Sequence, residues 1–222
     1  MIEPLSNDAP ASELHQPFRD FYQLLEREVS GLTTEQLDFR SDQWEWADWS
    51  IRRQVSHIAS LHFRWMLLRW GEQLFPGGPP AGLNTAGLLE PPEVRWLDEE
   101  MFWELEDLLP KVREAFDLLG SVLEGRTMKE LRELEITREM PGGLVGQWQQ
   151  MIQAHPTGIY FDSENPALSH MTLEGTVRHM YFEDVTHLYN IQRLRKAQGL
   201  PPVVEVPHVG YWQVADWDRS EP

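Results

Sequence analysis

Three residues that can bind a metal ion recur at four-residue intervals in the last third of the chain: His179, Glu183 and His187. Residues four apart lie along one side of an α-helix and drift by about 40° per step. Two ligands one turn apart let a single helix hold one metal ion. Glu183 and His187 lie nearest the apolar face of this helix, so they are the best placed pair for an interior site. A solvated polar stripe is the alternative interpretation of the same spacing.

A complete helix signal surrounds these residues. Thr172 can cap the N-terminus, Glu174 suits the first turn, and basic residues fill the last turn before Gly199 and two prolines. Apolar residues recur at helical spacing and commit one face to a core. The sequence therefore predicts a long helix over residues 172–198.

Three further apolar periodicities predict long helices near residues 14–30, 50–70 and 98–123. Ser50 is placed to cap the second of these helices, and Pro110 is expected to kink or divide the third. Capping boxes predict short helices that begin at Thr33 and Thr127.

The order of a long helix, a short capped helix, a loop and a long histidine-bearing helix occurs twice. It predicts two helical hairpins packed as a four-helix bundle, and we find no alternating strand run of convincing length. We therefore predict an all-α protein with a single domain over 1–222 and a core over about 14–200. Residues 75–92 form a Pro/Gly-rich loop, 136–170 an irregular insertion before the last long helix, and 201–222 a C-terminal tail.

Composition limits the chemistry and the partners. The 222 residues are 41% hydrophobic, which is enough for a real core. Because there is no cysteine, any metal must be held by histidines and carboxylates. A formal charge of −17 argues against nucleic acid and anionic membrane surfaces as partners. The N-terminus lacks a signal-peptide pattern and no long apolar run is present, so we expect a soluble cytoplasmic protein.

The remaining histidines are spread along the chain. His57 lies in the middle of the second predicted helix, where a lone histidine is usually a hydrogen-bonded core residue or a surface residue. The same alternative applies to His62. His155, His170 and His208 fall in predicted loops, where a surface position is expected.

Three of the ten tryptophans precede the helix that carries His57: Trp44, Trp46 and Trp49. Seven residues of helix from Ser50 to His57 span only ~10 Å. We therefore predict that the three indoles line a substrate pocket near the metal, reached past the segments 75–92 and 136–170.

Two motifs resemble the DinB/YfiT-like superfamily of metal-binding four-helix bundles: Trp49-Ser50-x6-His57-Ile58, and His187-x2-Asn190-Ile191 with Gly199 twelve residues after His187. The resemblance spans about residues 14–200 and implies a divalent metal held by His57, Glu183 and His187. The commonest pattern of the family has His at position 183 and Gln at 190. The branch of mycothiol-dependent maleylpyruvate isomerases is similar in having a Glu among the ligands.

The resemblance also implies roles around the metal. Zinc suits two imidazoles and a carboxylate, with nickel, iron and manganese as alternatives. Asp184 and Asn190 would lie beside the ligands, with Asp184 accepting an imidazole N–H; a salt bridge to Arg178 or Arg53 is its alternative. His179 becomes the candidate catalytic residue for proton transfer, with a structural role as the alternative.

Three functions are compatible with these residues. The first is a metal-dependent hydrolase or thiol-dependent transferase or isomerase, in which three protein ligands leave a position open to water or a substrate thiol. The second is an oxygen-dependent non-haem iron enzyme resembling the ergothioneine-type sulfoxide synthases, whose N-terminal region shares this bundle. The third is a stress-related protein that binds a small molecule without catalysis.

The expected partners are a small-molecule substrate, a low-molecular-weight thiol as cosubstrate, and a second copy of the chain. The thiol must be external because the chain has no cysteine. The homodimer is predicted because Tyr211, Trp212 and Trp217 form an aromatic C-terminal segment that a monomer would leave partly exposed. Metal binding is predicted to weaken below about pH 6 to 6.5, the range of a free imidazole.

Overall fold

The computed structural model describes residues 5–89, 95–140 and 145–222, and it is mostly helical with a small sheet. Parts of the predicted segments 75–92 and 136–170 lie outside the described residues. The helices are α1 (Gln16–Val29), α2 (Thr34–Asp38), α3 (Ile51–Phe63), α4 (Gly71–Leu74), α5 (Leu105–Leu123), α6 (Met128–Glu133), α7 (Val145–Ile152) and α8 (Leu173–Ala197). The strands are β1 (Glu135–Glu139), β2 (Ile159–Phe161) and β3 (Leu168–Thr172).

The four long helices α1, α3, α5 and α8 form the body of the protein. Helices α1 and α3 each pack against both α5 and α8. Each contributes apolar side chains to one buried cluster, among them Phe18, Ile58, Leu119 and Leu188. Both predicted capping boxes are present, and each opens a short helix that follows a long one, α2 after α1 and α6 after α5. Among the described residues, none of the helices is both long and apolar enough to cross a bilayer.

Helix α8 begins and ends where the sequence predicts. The Thr172 hydroxyl accepts a hydrogen bond from the Gly175 amide, and Gly199 follows the helix with a φ of 74°. Ser50 likewise caps α3 by accepting from the Arg53 amide. After Phe63 the chain continues as a π-helical turn over Arg64–Arg69, which the sequence did not predict.

The third long helix starts later than predicted. Residues 98–104 are not helical, and α5 begins only after Glu104, which has an extended backbone. The Trp103 carbonyl accepts from the Arg52 guanidinium at 2.6 Å instead of from a helical amide. Pro110 does not divide α5, which continues through it to Leu123.

The prediction that the segment before α8 lacks strands is wrong. Three antiparallel strands pair there in the order β1-β3-β2, with Thr137 and Tyr160 both opposite His170. The strands have only three to five residues. In β3 the two buried positions are Ser169 and Met171, so burial alternates while hydrophobicity does not. The predicted helical turns around Trp148 are present as α7.

The C-terminal tail packs against its own chain. Tyr211 is fully buried, and its backbone amide donates to the Thr186 hydroxyl of α8 at 3.0 Å. The Arg193 guanidinium donates to the carbonyls of Asp218 and Ser220. Burial of Tyr211 within one chain removes part of the reason for expecting a dimer.

Candidate metal centre

Helices α3 and α8 bring together the three predicted ligands. One ligand atom each of His57, Glu183 and His187 lies within 4.8 Å of the other two. The His187 Nε2 atom lies 3.4 Å from Glu183 Oε2, and the imidazole centroids of His57 and His187 are 4.5 Å apart. Two atoms each about 2.0–2.2 Å from one tetrahedral ion would be about 3.3–3.6 Å apart, so the spacing of this pair fits zinc.

The outer nitrogens of both imidazoles are already hydrogen-bonded. His57 Nδ1 donates to the Arg95 carbonyl at 2.5 Å, and His187 Nδ1 donates to Gln54 Oε1. In a neutral imidazole the other nitrogen, Nε2, then carries a lone pair. Two such lone pairs and a carboxylate converge in one interior place, and a divalent cation is what such a donor set accepts.

The protonation states of His57 and Glu183 in the folded chain suit the binding of a cation. Burial lowers the pKa of His57 to about 3, and the charge of His187 acts in the same direction. Burial alone would raise the pKa of Glu183. The close approach of His187, together with His179 and His57, outweighs burial and lowers that pKa to about 2. Near neutral pH the group therefore holds a neutral His57 and an ionised Glu183, which are the ligand forms that bind metals.

Of the three predicted pocket tryptophans, only Trp49 contacts this group. Its indole stacks on His187 at 5.9 Å with an angle of 1° between the planes, and it lies 5.0 Å from His57. Trp44 and Trp46 instead stack on each other at 5.1 Å. Trp46 is covered by the Arg193 guanidinium at 4.4 Å and donates to Ser220, so the sequence wrongly placed these two indoles with Trp49.

The two other residues predicted beside the ligands make different contacts. Asp184 Oδ2 pairs with Nε2 of His62 at 2.8 Å, and both side chains are fully buried. Asp184 thus accepts from an imidazole, as predicted, but this imidazole is not one of the candidate ligands. The predicted salt bridges to Arg178 or Arg53 are not formed. The Asn190 Oδ1 atom accepts from Arg193 Nη2 at 2.5 Å. His62 is a hydrogen-bonded core residue, which was the alternative to a ligand role for it in the sequence.

His179 lies one turn before Glu183 and is 3% exposed. Its Nδ1 atom is 2.5 Å from the Tyr211 hydroxyl, which is also 2.8 Å from Nε2 of His155. Arg178 Nε donates to His155 Nδ1 at 3.1 Å. The prediction of a surface position for His155 is therefore wrong, because it is buried beneath the C-terminal tail. His208 is exposed, as predicted.

These bonds fix the direction of the protons. Arg178 Nε can only donate, so Nδ1 of His155 is an acceptor and its proton is on Nε2. That proton goes to the Tyr211 oxygen, and the Tyr211 hydroxyl donates to Nδ1 of His179. Burial lowers the pKa of His155 to about 2 and that of His179 to about 4. Neutral His179 therefore carries its proton on Nε2.

Four residues that orient the candidate ligands or His179 were not predicted from the sequence: Gln54, Arg95, Tyr211 and His155. Gln54 is a polar residue on the buried side of α3, three residues before His57, which is a usable signal. Arg95 acts through its backbone carbonyl, and any residue type supplies a carbonyl. Tyr211 reaches His179 from 32 positions away, a distance over which spacing carries no information.

Comparisons of the chain with models of known families, with curated proteins and with solved structures find no match. The fold and the site together define a mostly helical protein with a candidate centre of two histidines and one glutamate.

Proposed function

We propose that the protein is a metal-dependent enzyme of the DinB/YfiT-like type, a hydrolase or a thiol-dependent transferase or isomerase of a small molecule. The packing of α1 and α3 against both α5 and α8 supports a four-helix bundle of this type. Since the chain has no cysteine, a reacting thiol would be a low-molecular-weight cosubstrate. A homodimer remains a prediction that light scattering tests.

The observation that carries the proposal is the convergence of His57, Glu183 and His187 in the interior. Three acceptors without a donor between them would repel one another, because each presents a lone pair or a negative charge. A divalent ion removes this repulsion, and zinc fits the donor set and the spacing. When bound, such an ion supplies Lewis acidity towards water, a thiol or a carbonyl group.

The protein's own residues supply orientation, a proton and a dry environment. Gln54 and the Arg95 carbonyl hold the two imidazoles with Nε2 facing inward. The stack of Trp49 on His187 shields that side from water. His179 holds a proton at Nε2 one turn from Glu183, where it can donate a hydrogen bond to a substrate oxygen. The low pKa of His179 makes it a donor in its neutral form rather than a cationic acid.

Elemental analysis of freshly purified protein tests the metal centre. We expect about one divalent ion per chain in the wild type and a large loss in His57→Ala, His187→Ala and Glu183→Gln. Glu183→Gln removes the charge and keeps the shape, so it separates ligation from folding. His208→Ala changes an exposed histidine and is the matched control with full occupancy. Full occupancy in Glu183→Gln would mean that Glu183 is not a ligand.

The donor set itself favours one second candidate. Two histidines and one carboxylate are the ligands of oxygen-dependent non-haem Fe(II) enzymes as well as of zinc enzymes. Purification without oxygen, followed by parallel iron and zinc analysis, distinguishes them. Iron that occupies the site anaerobically and depends on Glu183 would support the oxygen-dependent enzyme.

A further inference from the structure

Arg138 of β1 lies between two indoles that also contact His179. The Arg138 Cζ atom is 4.8 Å from the ring centroid of Trp65 and 5.2 Å from that of Trp148. The same two rings each have their centroid 5.1 Å from the imidazole of His179. The π-helical turn after α3 supplies Trp65 and α7 supplies Trp148, so three separate elements hold the guanidinium beside His179.

This guanidinium has no carboxylate partner among the described residues. Its Nε and Nη1 atoms are buried and make no hydrogen bond there. Three other buried or half-buried arginines pair with carboxylates: Arg52 with Asp38, Arg132 with Glu174 and Arg195 with Glu28. Buried Arg193 has no carboxylate partner, but it donates to the carbonyls of Asp218 and Ser220. A buried N–H without an acceptor costs free energy, and the aromatic faces offset only part of it.

The charge of Arg138 persists at neutral pH. Burial, together with the neighbouring charge of Arg69, lowers its pKa to about 10. The residue as a whole is half-buried, and Nη2 is the one guanidinium nitrogen that is not among its buried atoms without a partner, so a ligand can approach the guanidinium from the Nη2 side. A fixed planar cation with unpartnered N–H groups, flanked by apolar rings, matches an organic carboxylate better than a phosphate. One guanidinium balances a single negative charge and its fork fits the two carboxylate oxygens.

We propose that Arg138 binds the carboxylate of a small apolar acid, whose body extends along His179 towards Glu183. The inference rests on the proposed function, because it names the substrate class of that same site. His179 is one helical turn from Glu183, and side chains four apart on a helix are about 5–6 Å apart at Cβ. Benzoate combines one carboxylate for the guanidinium with an apolar ring that can lie against the indoles, so it is a minimal member of this class.

Benzoate is the probe, and benzamide is its neutral counterpart of the same shape. Binding is followed by tryptophan fluorescence and calorimetry, on protein as purified and again after EDTA treatment, so that carboxylate coordination to a metal is removed as a cause. We expect benzoate to bind in both states at least about tenfold more tightly than benzamide. Arg138→Gln should weaken benzoate by about tenfold or more, and Arg138→Lys, which keeps the charge without the planar fork, by less.

Arg69→Gln is the matched control, since Arg69 is exposed and close enough to affect the charge of Arg138. It should change benzoate affinity by about twofold at most, as expected of a screened surface charge. Equal affinities for benzoate and benzamide, or unchanged benzoate affinity in a folded Arg138→Gln protein, would overturn the inference.

Metal content measured on the same samples separates the two proposals. If the wild-type protein contains no metal as purified and its benzoate binding still depends on Arg138, the anion site is retained and the metal centre is rejected. If metal occupancy depends on His57 and Glu183 while benzoate affinity is unchanged in Arg138→Gln, the metal centre is retained and the anion site is rejected.

Discussion

At the scale of single residues, the hydroxyl of Tyr211 determines what His179 can do. It accepts a proton from His155 and donates its own to His179, so it joins two buried imidazoles that otherwise lack partners on these nitrogens. Burial raises the pKa of Tyr211 well above that of free tyrosine, so it stays a neutral donor. A tyrosinate would have to accept from His179 and would reverse the tautomer.

Tyr211→Phe tests this arrangement. Removal of the hydroxyl leaves His155 Nε2–H and His179 Nδ1 buried without a partner, so we expect unfolding free energy to fall by about 1–3 kcal/mol. Nitrogen-15 NMR of the imidazoles should also show that His179 loses its single Nε2–H tautomer.

Tyr189→Phe is the matched control. Its hydroxyl bonds Glu221 in an exposed pair, so urea denaturation should detect a loss below about 1 kcal/mol. Equal losses for the two variants, or an unchanged His179 tautomer in Tyr211→Phe, would contradict the proton directions derived above.

The candidate ligands and Trp49 could be predicted from the sequence, and most of their other neighbours could not. Glu183 and His187 share a helix, where spacing of four fixes a common side, and His57 was added by the resemblance of its motif. Gln54, Arg95 and Tyr211 join the site through tertiary packing. For Trp44 and Trp46 the error was the opposite one, because they were predicted to join the site and do not contact the ligands. They are close to Trp49 in sequence, yet they turn away to pair with each other and with Arg193.

At the scale of elements, the four long helices were predictable because each carries an apolar face, and α3 and α8 also begin at a side-chain cap. The sheet was not, since its strands are short and Ser169 occupies a buried position. The sheet nevertheless matters for the site, because β3 leads directly into α8 and β1 carries Arg138. The first turn of α8 presses on the loop before β2, where a Cβ on Gly175 would lie 2.4 Å from the Gly158 carbonyl oxygen.

Gly175→Ala tests whether this contact positions α8. The added methyl group cannot fit against a backbone carbonyl, so we expect a loss of about 1–3 kcal/mol in unfolding free energy, with a reduced metal content as α8 shifts. Urea denaturation and elemental analysis measure the two effects.

Gly146→Ala provides the comparison within another helix. A Cβ at position 146 meets no atom within 4 Å, so alanine should stabilise α7 by up to about 1 kcal/mol through helix propensity. A Gly175→Ala protein as stable as the wild type would show that the junction between the sheet and α8 tolerates movement.

At the scale of the whole molecule, an acidic chain holds several of its histidines in a buried, neutral form. Burial lowers the pKa values of His57, His155 and His179 to about 3, 2 and 4, against 6.5 for a free imidazole. It also lowers that of His15, where the Phe116 carbonyl partly opposes it. Protonation of His57 in the folded protein therefore lies below the range of pH 6 to 6.5 that the sequence suggested for metal loss.

The resulting prediction concerns metal-free protein, in which stability should fall as the pH drops below about 6.5. There the unfolded chain binds protons that the folded chain excludes, so unfolding free energy rises with pH. Each fully excluded proton contributes about 1.4 kcal/mol per pH unit, and three histidines give about 4. Asp184, whose pKa is raised by burial, titrates in the opposite sense and subtracts up to one proton. Urea denaturation at pH 7.5, 6.0 and 5.0 in EDTA should therefore give an uptake of about two to three protons on unfolding between pH 6.0 and 5.0, and of less than about one near pH 7.5, where the unfolded imidazoles are mostly neutral. His155→Gln should lower this slope by about one proton whatever it does to stability at pH 7.5, whereas His208→Ala, which changes an exposed side chain, should leave it unchanged.

A free energy that stays constant between pH 7.5 and 5.0 would mean that these imidazoles exchange protons freely in the folded protein, and the proton assignments at His179 and His155 would fail with it.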